Sequence, residues 1–166
     1  TFRESFRPFA PAVLREDVHE YFEMRPDENS PYMLLVAPVK EDKRLPVEEA
    51  DRAKGLDKLK EVRSVVPAIT HVDYSARVQT IDMQHHPRFY KIIEKFKEKT
   101  GSPVVINTSF NVRGEPIVNT PEDAFRCFMY TNMDALVLEN FVILKQDQPN
   151  AKEIDVDAYL AEFALD

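Results

Sequence analysis

The sequence contains little glycine and almost no cysteine. Its three glycines in 166 residues make a glycine-rich phosphate loop improbable, so any nucleotide must be held by side chains. The single cysteine, Cys127, cannot form an intramolecular disulfide. It lies in a mixed helical segment with Phe125, Phe128 and Met129, where we expect the small thiol to pack rather than to react.

Positive charge is also scarce, since 22 Lys and Arg oppose 29 Asp and Glu and leave a net charge of −7. This balance argues against general binding to nucleic acid or anionic lipid, because both require clustered cations. No apolar run approaches the roughly 20 residues of a membrane span, and the first residues lack a signal-peptide layout. We therefore expect a cytoplasmic protein without a nucleic-acid or membrane partner. The absence of an initiator methionine suggests a piece of a longer polypeptide.

The chain has enough apolar material for one packed domain, because 43% of its residues are hydrophobic. A domain of this length buries about 68 to 70% of the surface that its unfolded chain exposes, so it needs no disulfide or structural metal. We predict one domain over residues 1–166. Within it, residues 40–64 are mostly charged and are predicted to form an insertion or loop with a marginal helix.

Strands and helices alternate along the sequence. Phe89, Ile92, Ile93 and Phe96 follow the spacing of an amphipathic helix that ends at Gly101. A second helix is predicted after Thr120, which can cap a segment that starts with proline and two acids. Strands are predicted at 32–37, 65–72, 76–81, 104–106, 134–138 and 141–144, of which 32–37 and 104–106 are expected to be buried. A turn is predicted at 139–140, and further helices are predicted near 18–22 and 156–163. This alternation favours an α/β fold with a mixed sheet flanked by helices.

The strand at 104–106 runs directly into a dense polar cluster. Asn107, Thr108, Ser109 and Asn111 supply amide and hydroxyl groups, and Arg113 adds a cation. Ligands of open α/β sheets collect at the carboxyl ends of strands, so this cluster is a candidate binding site. The alternative is a polar turn held by side-chain hydrogen bonds to its own backbone.

Two further clusters carry arginine: Arg3 with Arg7 near the start, and Arg77 in a segment that begins at His71. If the fold brings both to the loop at 107–113, they form an anion site in an acidic protein. A guanidinium group can donate two parallel hydrogen bonds to two oxygens of one phosphate group. Each charge-assisted hydrogen bond contributes about 1.5 to 3 kcal/mol. The alternative is that each arginine forms a structural ion pair with a nearby carboxylate.

The histidines have simpler interpretations. His71 could act as an acid or base, or could fix a loop through a hydrogen bond to Asp73. The adjacent His85 and His86 project in different directions, and no zinc spacing is present, so no metal site is expected there.

At these clusters the chain resembles the C-terminal domain of the O-carbamoyltransferase family that includes the NodU nodulation proteins and antibiotic-tailoring carbamoyltransferases. The matching motifs occur in the family's order and span most of residues 3–145. They are Phe6-Arg7-Pro8-Phe9-Ala10-Pro11, Pro67-Ala68 with His71-Val72-Asp73, Ala76-Arg77-Val78-Gln79-Thr80, Thr100-Gly101-Ser102-Pro103, Asn107-Thr108-Ser109-Phe110-Asn111 and Gly114-Glu115-Pro116-Ile117-Val118.

The resemblance implies a YrdC-like fold, in which a twisted mixed sheet and its helices surround a concave basic face. It also implies that the domain activates carbamoyl phosphate with ATP and gives carbamoyl-adenylate and pyrophosphate. A preceding N-terminal transferase domain of the same polypeptide would pass the carbamoyl group to an acceptor hydroxyl. Arginines and Mg²⁺ would align the two anions.

Residue roles follow from the resemblance. The catalytic positions would be Arg7, Arg77, Ser109 and Asn111, with Ser109 a hydrogen-bond donor rather than a nucleophile. Carbamoyl phosphate and ATP would also contact Arg3, His71, Asn107, Thr108 and Arg113. The metal-binding histidines of the transferase domain are absent, so no iron or zinc is expected.

The chain departs from the family pattern at Tyr74-Ser75, where the family usually has a glycine-threonine pair. The family's upstream arginine and glycine-rich signature does not precede Thr1 in this sequence, which leaves the activity of the isolated chain open. Two other functions remain. One is a noncatalytic nucleotide- or anion-binding module that regulates or docks a neighbouring domain, and the other is a YrdC-like RNA-binding unit, which the negative charge disfavours.

Overall fold

The structure, a computed structural model, describes residues 8–46, 55, 61–112, 114–149 and 156–161. The chain divides into two compact units, of which one ends at Thr108 and the other begins at Ser109. We call them the N-terminal unit and the C-terminal unit. No helix in the described ranges is both long enough and apolar enough to span a membrane.

The N-terminal unit contains an open four-stranded mixed sheet. Strand β1 (Ala10–Leu14) runs parallel to β3 (Ser75–Ile81) and antiparallel to β4 (Val104–Asn107), while β2 (Leu35–Pro38) is antiparallel to β3. The strand order is β2-β3-β1-β4. This sheet confirms the predicted α/β class with a mixed sheet.

The two faces of the sheet are covered differently. One face packs Val13, Val78 and Val104 against α1 (Val18–Tyr21) and the segment that follows it. The other face is covered in part by α2 (Pro87–Thr100). Ala12, Leu14 and Ile81 pack around Ile93, with Phe89, Tyr90 and Val105 at the margin.

Helix α2 forms where the spacing predicts it and ends at the predicted residue, but Ile92 is 58% exposed and Phe96 is 39% exposed, so only part of the predicted apolar face is buried. Ile93 is buried against the sheet, and Gly101 adopts φ 78°, which a glycine adopts without steric cost. The Gly101 amide donates to the Lys97 carbonyl and closes the last turn.

The C-terminal unit consists of a helix, a hairpin and a short last helix. Helix α3 (Pro121–Met129) is followed by β5 (Ala135–Leu138) and β6 (Phe141–Leu144), which pair antiparallel. Helix α4 spans Val156–Ala161. The core of the unit packs Ala124, Phe128, Met129 and Leu136 together.

The predicted start of α3 is confirmed as a capping box. The Thr120 hydroxyl accepts from the Asp123 amide, while the Asp123 carboxylate accepts from the Thr120 amide. The predicted hairpin turn is confirmed as well, with Glu139 at φ 50°.

The carboxyl end of α3 is capped by Lys145, which follows β6. Its ammonium group donates to the carbonyls of Phe128, Met129 and Thr131 and lies 4.8 Å from the centre of the Phe128 ring. Burial lowers the pKa of this lysine, and the nearby Asp134 opposes that shift. The lysine thus joins the helix to the hairpin and meets the negative end of the helix dipole.

The predicted burial of two strands is wrong. The segment predicted at 32–37 forms only β2, in which Val36 is 65% exposed. The strand predicted at 104–106 contains Ile106, which is 48% exposed. Both strands lie at the edges of the sheet, so the apolar runs reflect strand propensity rather than burial on both faces.

The strand predicted at 65–72 is also wrong. The structure has a 3₁₀ turn at Pro67–Ile69, because Pro67 cannot donate to a strand ladder and starts a turn instead. Within the predicted insertion at 40–64, the two ends are joined by backbone hydrogen bonds from Leu45 to Arg63 and from Val65 to Lys43. A short 3₁₀ turn covers Glu41–Lys43, and residues 47–54 and 56–60 lie outside the described residues.

Candidate anion-binding site

Arg77 and Asn107 lie on the same face of the sheet. Ala12 is in register with both Gln79 on β3 and Val105 on β4, and Ala10 is in register with Asn107. Because side chains on one strand alternate between faces, Arg77 also points to this face. Two strand spacings, about 10 Å, separate Arg77 from Asn107.

Small residues form the floor between these polar groups. Ala10 and Ala12 are the β1 residues that lie between Arg77, Gln79 and Asn107 on this face, and both are buried. This floor lets the Asn107 side-chain amide reach across β1 and donate to the Gln79 side-chain oxygen.

A second hydrogen bond orients this pair of amides. The Gln79 nitrogen Nε2 donates to the Pro31 carbonyl at 2.9 Å, so the Gln79 oxygen faces Asn107. The Asn107 nitrogen donates to that oxygen, and its own Oδ1 therefore points away from Gln79. We call Arg77, Gln79 and Asn107, with their alanine floor, the polar row.

The polar row borders an exposed apolar edge. Val36 is in register with Arg77 on the neighbouring strand, and both side chains are exposed. Leu34 and Tyr32 precede Val36 at alternating positions and are exposed as well. A cation and neutral amides next to apolar surface can receive a ligand that has both a charged and an uncharged part.

The strand directions at the polar row differ from the sequence-based expectation. Asn107 ends β4, as predicted, but Arg77 lies near the start of β3. The two meet because β4 runs antiparallel to β1, which is itself parallel to β3. The rule for the carboxyl ends of parallel strands therefore does not describe this sheet.

The turn before β3 shows how the chain accommodates Tyr74. This residue has φ 64°, a left-handed conformation that glycine adopts more readily. Its ring lies 5.0 Å from the Arg44 guanidinium, and its carbonyl accepts from the Val39 amide. The large side chain thus stands at a backbone position suited to glycine.

Asp73 closes the same turn. Its carboxylate accepts from both the backbone amide and the hydroxyl of Ser75, and these bonds lower its pKa. His71 fixes the turn through its backbone, because its amide donates to the Ser75 carbonyl and its carbonyl accepts from the Tyr74 amide. Asp73 therefore bonds Ser75 in this turn, while His71 contributes main-chain groups.

In the C-terminal unit, Ser109 and Asn111 form a hydrogen-bonded pair. The Asn111 nitrogen donates to the Glu115 carbonyl at 2.8 Å, so its oxygen faces Ser109. The Ser109 hydroxyl donates to that oxygen at 2.7 Å. Ser109 is exposed, and while its hydroxyl donates to Asn111 its lone pairs remain as acceptors.

The Glu115 carboxylate is a buried group that the sequence-based site did not include. Its side chain is 5% exposed, and it accepts from the Val112 amide at 3.1 Å and from the Tyr159 hydroxyl at 2.5 Å. Arg126 lies 3.6 Å from the same carboxylate. The sequence signal for Glu115 is that it is the one charged residue in the motif Gly114-Glu115-Pro116-Ile117-Val118.

Cys127 confirms the expectation of an inert, packed thiol. It is fully buried beside Val112 and Tyr159. Burial is the main cause that raises its pKa to about 11, with the Glu115 carboxylate adding to it. A thiol with such a pKa is almost entirely protonated near neutral pH and is a poor nucleophile.

One of the adjacent histidines, His85, bonds the carboxylate of Asp82. His85 donates its backbone amide to Asp82, and its ring nitrogen Nδ1 lies 2.8 Å from the same carboxylate. No group of three metal-ligating side chains was found in the described part of the chain.

The described residues of the predicted site fall into two groups, one in each unit. The structure brings Arg77 and Asn107 to one sheet face in the N-terminal unit, and it pairs Ser109 with Asn111 in the C-terminal unit. Thr108 is half-buried at the end of the N-terminal unit. Arg3, Arg7 and Arg113 lie outside the described residues, and their place in the site stays a prediction.

Comparison with known proteins identifies relatives over most of the chain. The model of a family described as carbamoyltransferase C-terminus matches residues 1–145. An uncharacterized protein of Synechocystis sp. is 55% identical over 166 residues, which cover 99% of this chain and 26% of that protein. The nodulation protein NolO of Bradyrhizobium diazoefficiens is 40% identical over 146 residues, covering 87% of this chain and 23% of NolO.

A relative with a stated activity is also similar. The 3'-hydroxymethylcephem-O-carbamoyltransferase of Amycolatopsis lactamdurans is 33% identical over 121 residues, which cover 73% of this chain and 19% of that enzyme. The chain therefore spans about a quarter or less of the length of these relatives.

Proposed function

Because this chain belongs to the carbamoyltransferase C-terminal family, as its match over residues 1–145 shows, we propose that it binds carbamoyl phosphate and ATP and forms carbamoyl-adenylate. An N-terminal domain of the same polypeptide would then transfer the carbamoyl group to an acceptor hydroxyl. The observation that carries this proposal is the polar row, which combines one exposed cation with two oriented neutral amides.

Each part of the polar row suits a part of the substrate. The Arg77 guanidinium can donate two hydrogen bonds at once to two oxygens of a phosphate group. The Asn107 amide has its Oδ1 directed away from Gln79, so that oxygen can accept from the carbamoyl NH₂ group. Because the chain carries a net charge of −7, Arg77 is not part of a general basic surface. It attracts anions locally.

The reaction balances without a covalent enzyme intermediate. Water releases phosphate from carbamoyl phosphate and leaves carbamate, whose oxygen attacks the α-phosphorus of ATP and displaces pyrophosphate. The protein then has to hold two anions in line and offset their repulsion. Arg77 would serve the second task, together with Arg7 and Arg3 if they reach the same face.

Ser109 and Asn111 have a supporting role in this proposal. The Ser109 hydroxyl donates a hydrogen bond to the Asn111 amide oxygen, which is not a base that could activate it. Ser109 therefore offers its lone pairs to the carbamoyl NH₂ group and does not act as a nucleophile. His71, Thr108 and Arg113 remain proposed contacts to the nucleotide.

Mg²⁺ would enter with the nucleotide. The described side chains include no group of three carboxylate, histidine or cysteine ligands that fits a metal ion. Mg²⁺ in such reactions is commonly held by substrate phosphates and water with few protein ligands, and it would neutralise phosphate charge.

The test is the carbamoyl-phosphate-dependent exchange of labelled pyrophosphate into ATP by the full-length polypeptide. We expect Arg77→Ala to raise the KM for an anionic substrate at least tenfold, because a charge-assisted hydrogen bond is lost. Ser109→Ala is expected to raise the KM for carbamoyl phosphate and not that for ATP. Arg15→Ala is the control, since Arg15 is exposed just beyond the opposite end of β1 and its removal is expected to leave both KM values unchanged.

Undiminished exchange in both site variants would reject the site. Calorimetry separates catalysis from simple binding: a noncatalytic module would bind ATP or carbamoyl phosphate without any exchange. That result would replace the proposed activity with a regulatory or docking role.

A further inference from the structure

A chain of hydrogen bonds connects the last helix to Ser109. The Tyr159 hydroxyl on α4 donates to Glu115, whose other carboxylate oxygen accepts from the Val112 amide. The Glu115 carbonyl accepts from Asn111, and Asn111 accepts from Ser109. All five residues belong to the C-terminal unit.

The centre of this chain is well buried. Glu115 is 7% exposed and Tyr159 is 6% exposed. Burial, followed by the hydrogen bond to Glu115, raises the pKa of Tyr159 well above its usual value, so the phenol keeps its proton and remains a donor. A buried carboxylate that loses one donor is costly, because its charge is then less well compensated.

The donor of this hydrogen bond lies outside the family match. The match ends at residue 145, whereas Tyr159 belongs to the later helix α4. The alignment with the Synechocystis protein covers 99% of this chain. Helix α4 thus supplies a hydrogen bond to Glu115, which lies inside the family match, from a residue that lies outside it.

Glu115 holds two adjacent residues that precede it in the turn, one through its carboxylate and one through its carbonyl. Its carboxylate fixes the Val112 amide, which directly follows Asn111, while its carbonyl fixes the Asn111 side chain. Movement of Glu115 would therefore shift Asn111 and release the Ser109 hydroxyl. While the Ser109 hydroxyl donates to Asn111, the Ser109 lone pairs are the groups left to accept from a ligand.

We propose that Tyr159 and Glu115 are positioning residues that hold the Ser109–Asn111 pair in the orientation that receives the carbamoyl group. The proposal deepens the proposed function and rests on it for the identity of the ligand. The geometric part, that Tyr159 orders residues 109–112 through Glu115, can be tested without any activity.

The first measurement is amide hydrogen exchange of residues 109–112 in the full-length polypeptide. Tyr159→Phe removes only the hydroxyl and keeps the ring, so the helix can still pack. We expect at least tenfold faster exchange at the Val112 amide. The control is Tyr130→Phe. It removes a hydroxyl from a ring that lies tilted against the Tyr159 ring, with centroids 4.8 Å apart, but it keeps the hydrogen bond from Tyr159 to Glu115. This control should leave exchange at Val112 unchanged.

The second measurement is steady-state pyrophosphate exchange with the same variants. Tyr159→Phe is expected to raise the KM for carbamoyl phosphate about fivefold to tenfold and to leave the KM for ATP unchanged. Glu115→Gln serves as a second variant. Its amide retains one acceptor for Tyr159 but presents a donor to the Val112 amide, so it should raise the same KM and speed the same exchange.

The outcomes are distinct. Equal exchange at Val112 in Tyr159→Phe and in the wild type would overturn the proposal, as would faster exchange with an unchanged KM. If Tyr159→Phe lowers the melting temperature and alters the KM values for both carbamoyl phosphate and ATP, the role of Tyr159 is merely structural, and the proposal is also overturned. If the wild type neither binds nor uses carbamoyl phosphate, the proposed function fails, whereas the hydrogen-exchange comparison still decides whether Tyr159 orders the turn.

Discussion

Asn107 donates a hydrogen bond to Gln79 although the strands that carry them are separated by β1. The contact exists because β1 presents alanine to this face at both relevant positions. Gln79 is itself oriented by the Pro31 carbonyl. The direction of the Asn107 amide is therefore set by a loop that lies far from it in sequence.

Replacement of Asn107 by aspartate is expected to weaken binding of carbamoyl phosphate at least tenfold. The carboxylate would face the Gln79 oxygen without a proton to share, and it would add negative charge to a face proposed to bind anions. Isothermal titration with carbamoyl phosphate measures the change. Asn140→Asp adds the same charge at an exposed hairpin turn and should leave binding intact; equal weakening in both variants would contradict the assignment.

Tyr74 should be replaced by glycine at little cost in stability. Glycine relieves a left-handed conformation that costs other residues about 1 to 2 kcal/mol, and this gain offsets the lost contact with Arg44, worth about 0.5 to 1 kcal/mol. Tyr74→Ala loses the contact without the relief. We expect Tyr74→Gly to exceed Tyr74→Ala by about 1 kcal/mol in the free energy of unfolding, measured in urea. If Tyr74→Ala were more stable than Tyr74→Gly, residue 74 would not adopt the left-handed conformation with φ 64°.

The Ser75 hydroxyl should control the titration of Asp73. Because Ser75 lowers the pKa of Asp73 in the folded chain, this carboxylate stabilises the fold above its unfolded pKa of 3.8, and the contribution disappears as the pH falls through the lower folded value. In Ser75→Ala the pKa of Asp73 should move back toward 3.8, as followed by carboxyl NMR signals. Asp123, whose pKa is lowered by Thr120, is the internal reference and should titrate unchanged. An unaltered Asp73 titration would refute this account of the turn.

Loss of the Lys145 ammonium should destabilise the C-terminal unit. Lys145→Met keeps the apolar stem but removes a charged donor from three carbonyls at the end of α3, a loss of about 2 to 3 kcal/mol. Lys95→Met is the matched control, because Lys95 is exposed and pairs with Glu98 on the surface, where such a pair contributes about 0 to 1 kcal/mol. Chemical unfolding measures both. A cost below 1 kcal/mol for Lys145→Met would mean that water replaces the ammonium at these carbonyls.

The local signals in the sequence predicted helices better than strand environments. Thr120 and Asp123 form a capping box because four neighbouring residues suffice for it, and Gly101 ends α2 for the same local reason. Val36 and Ile106, in contrast, look like core residues but occupy edge strands. Strand order depends on pairing between distant segments, which an apolar run does not specify.

The candidate site was predictable in its residue types and not in its connections. The loop from Asn107 to Asn111 stood out because amide and hydroxyl groups follow an apolar strand. The bond from Asn107 to Gln79 and the bond from Tyr159 to Glu115 join residues 28 and 44 positions apart. No periodicity or motif encodes such distances, so only the folded chain shows which groups orient the site.

The position of β1 has a consequence for how the molecule is made. This first strand lies between β3 and β4, although those strands begin at Ser75 and Val104. During synthesis, residues 10–14 must therefore wait for partners that emerge more than sixty and ninety residues later. Such nonlocal closure is slow, and the Ala, Pro, Val and Leu residues of β1 have no partner strand in this sheet until Ser75–Ile81 and Val104–Asn107 have left the ribosome.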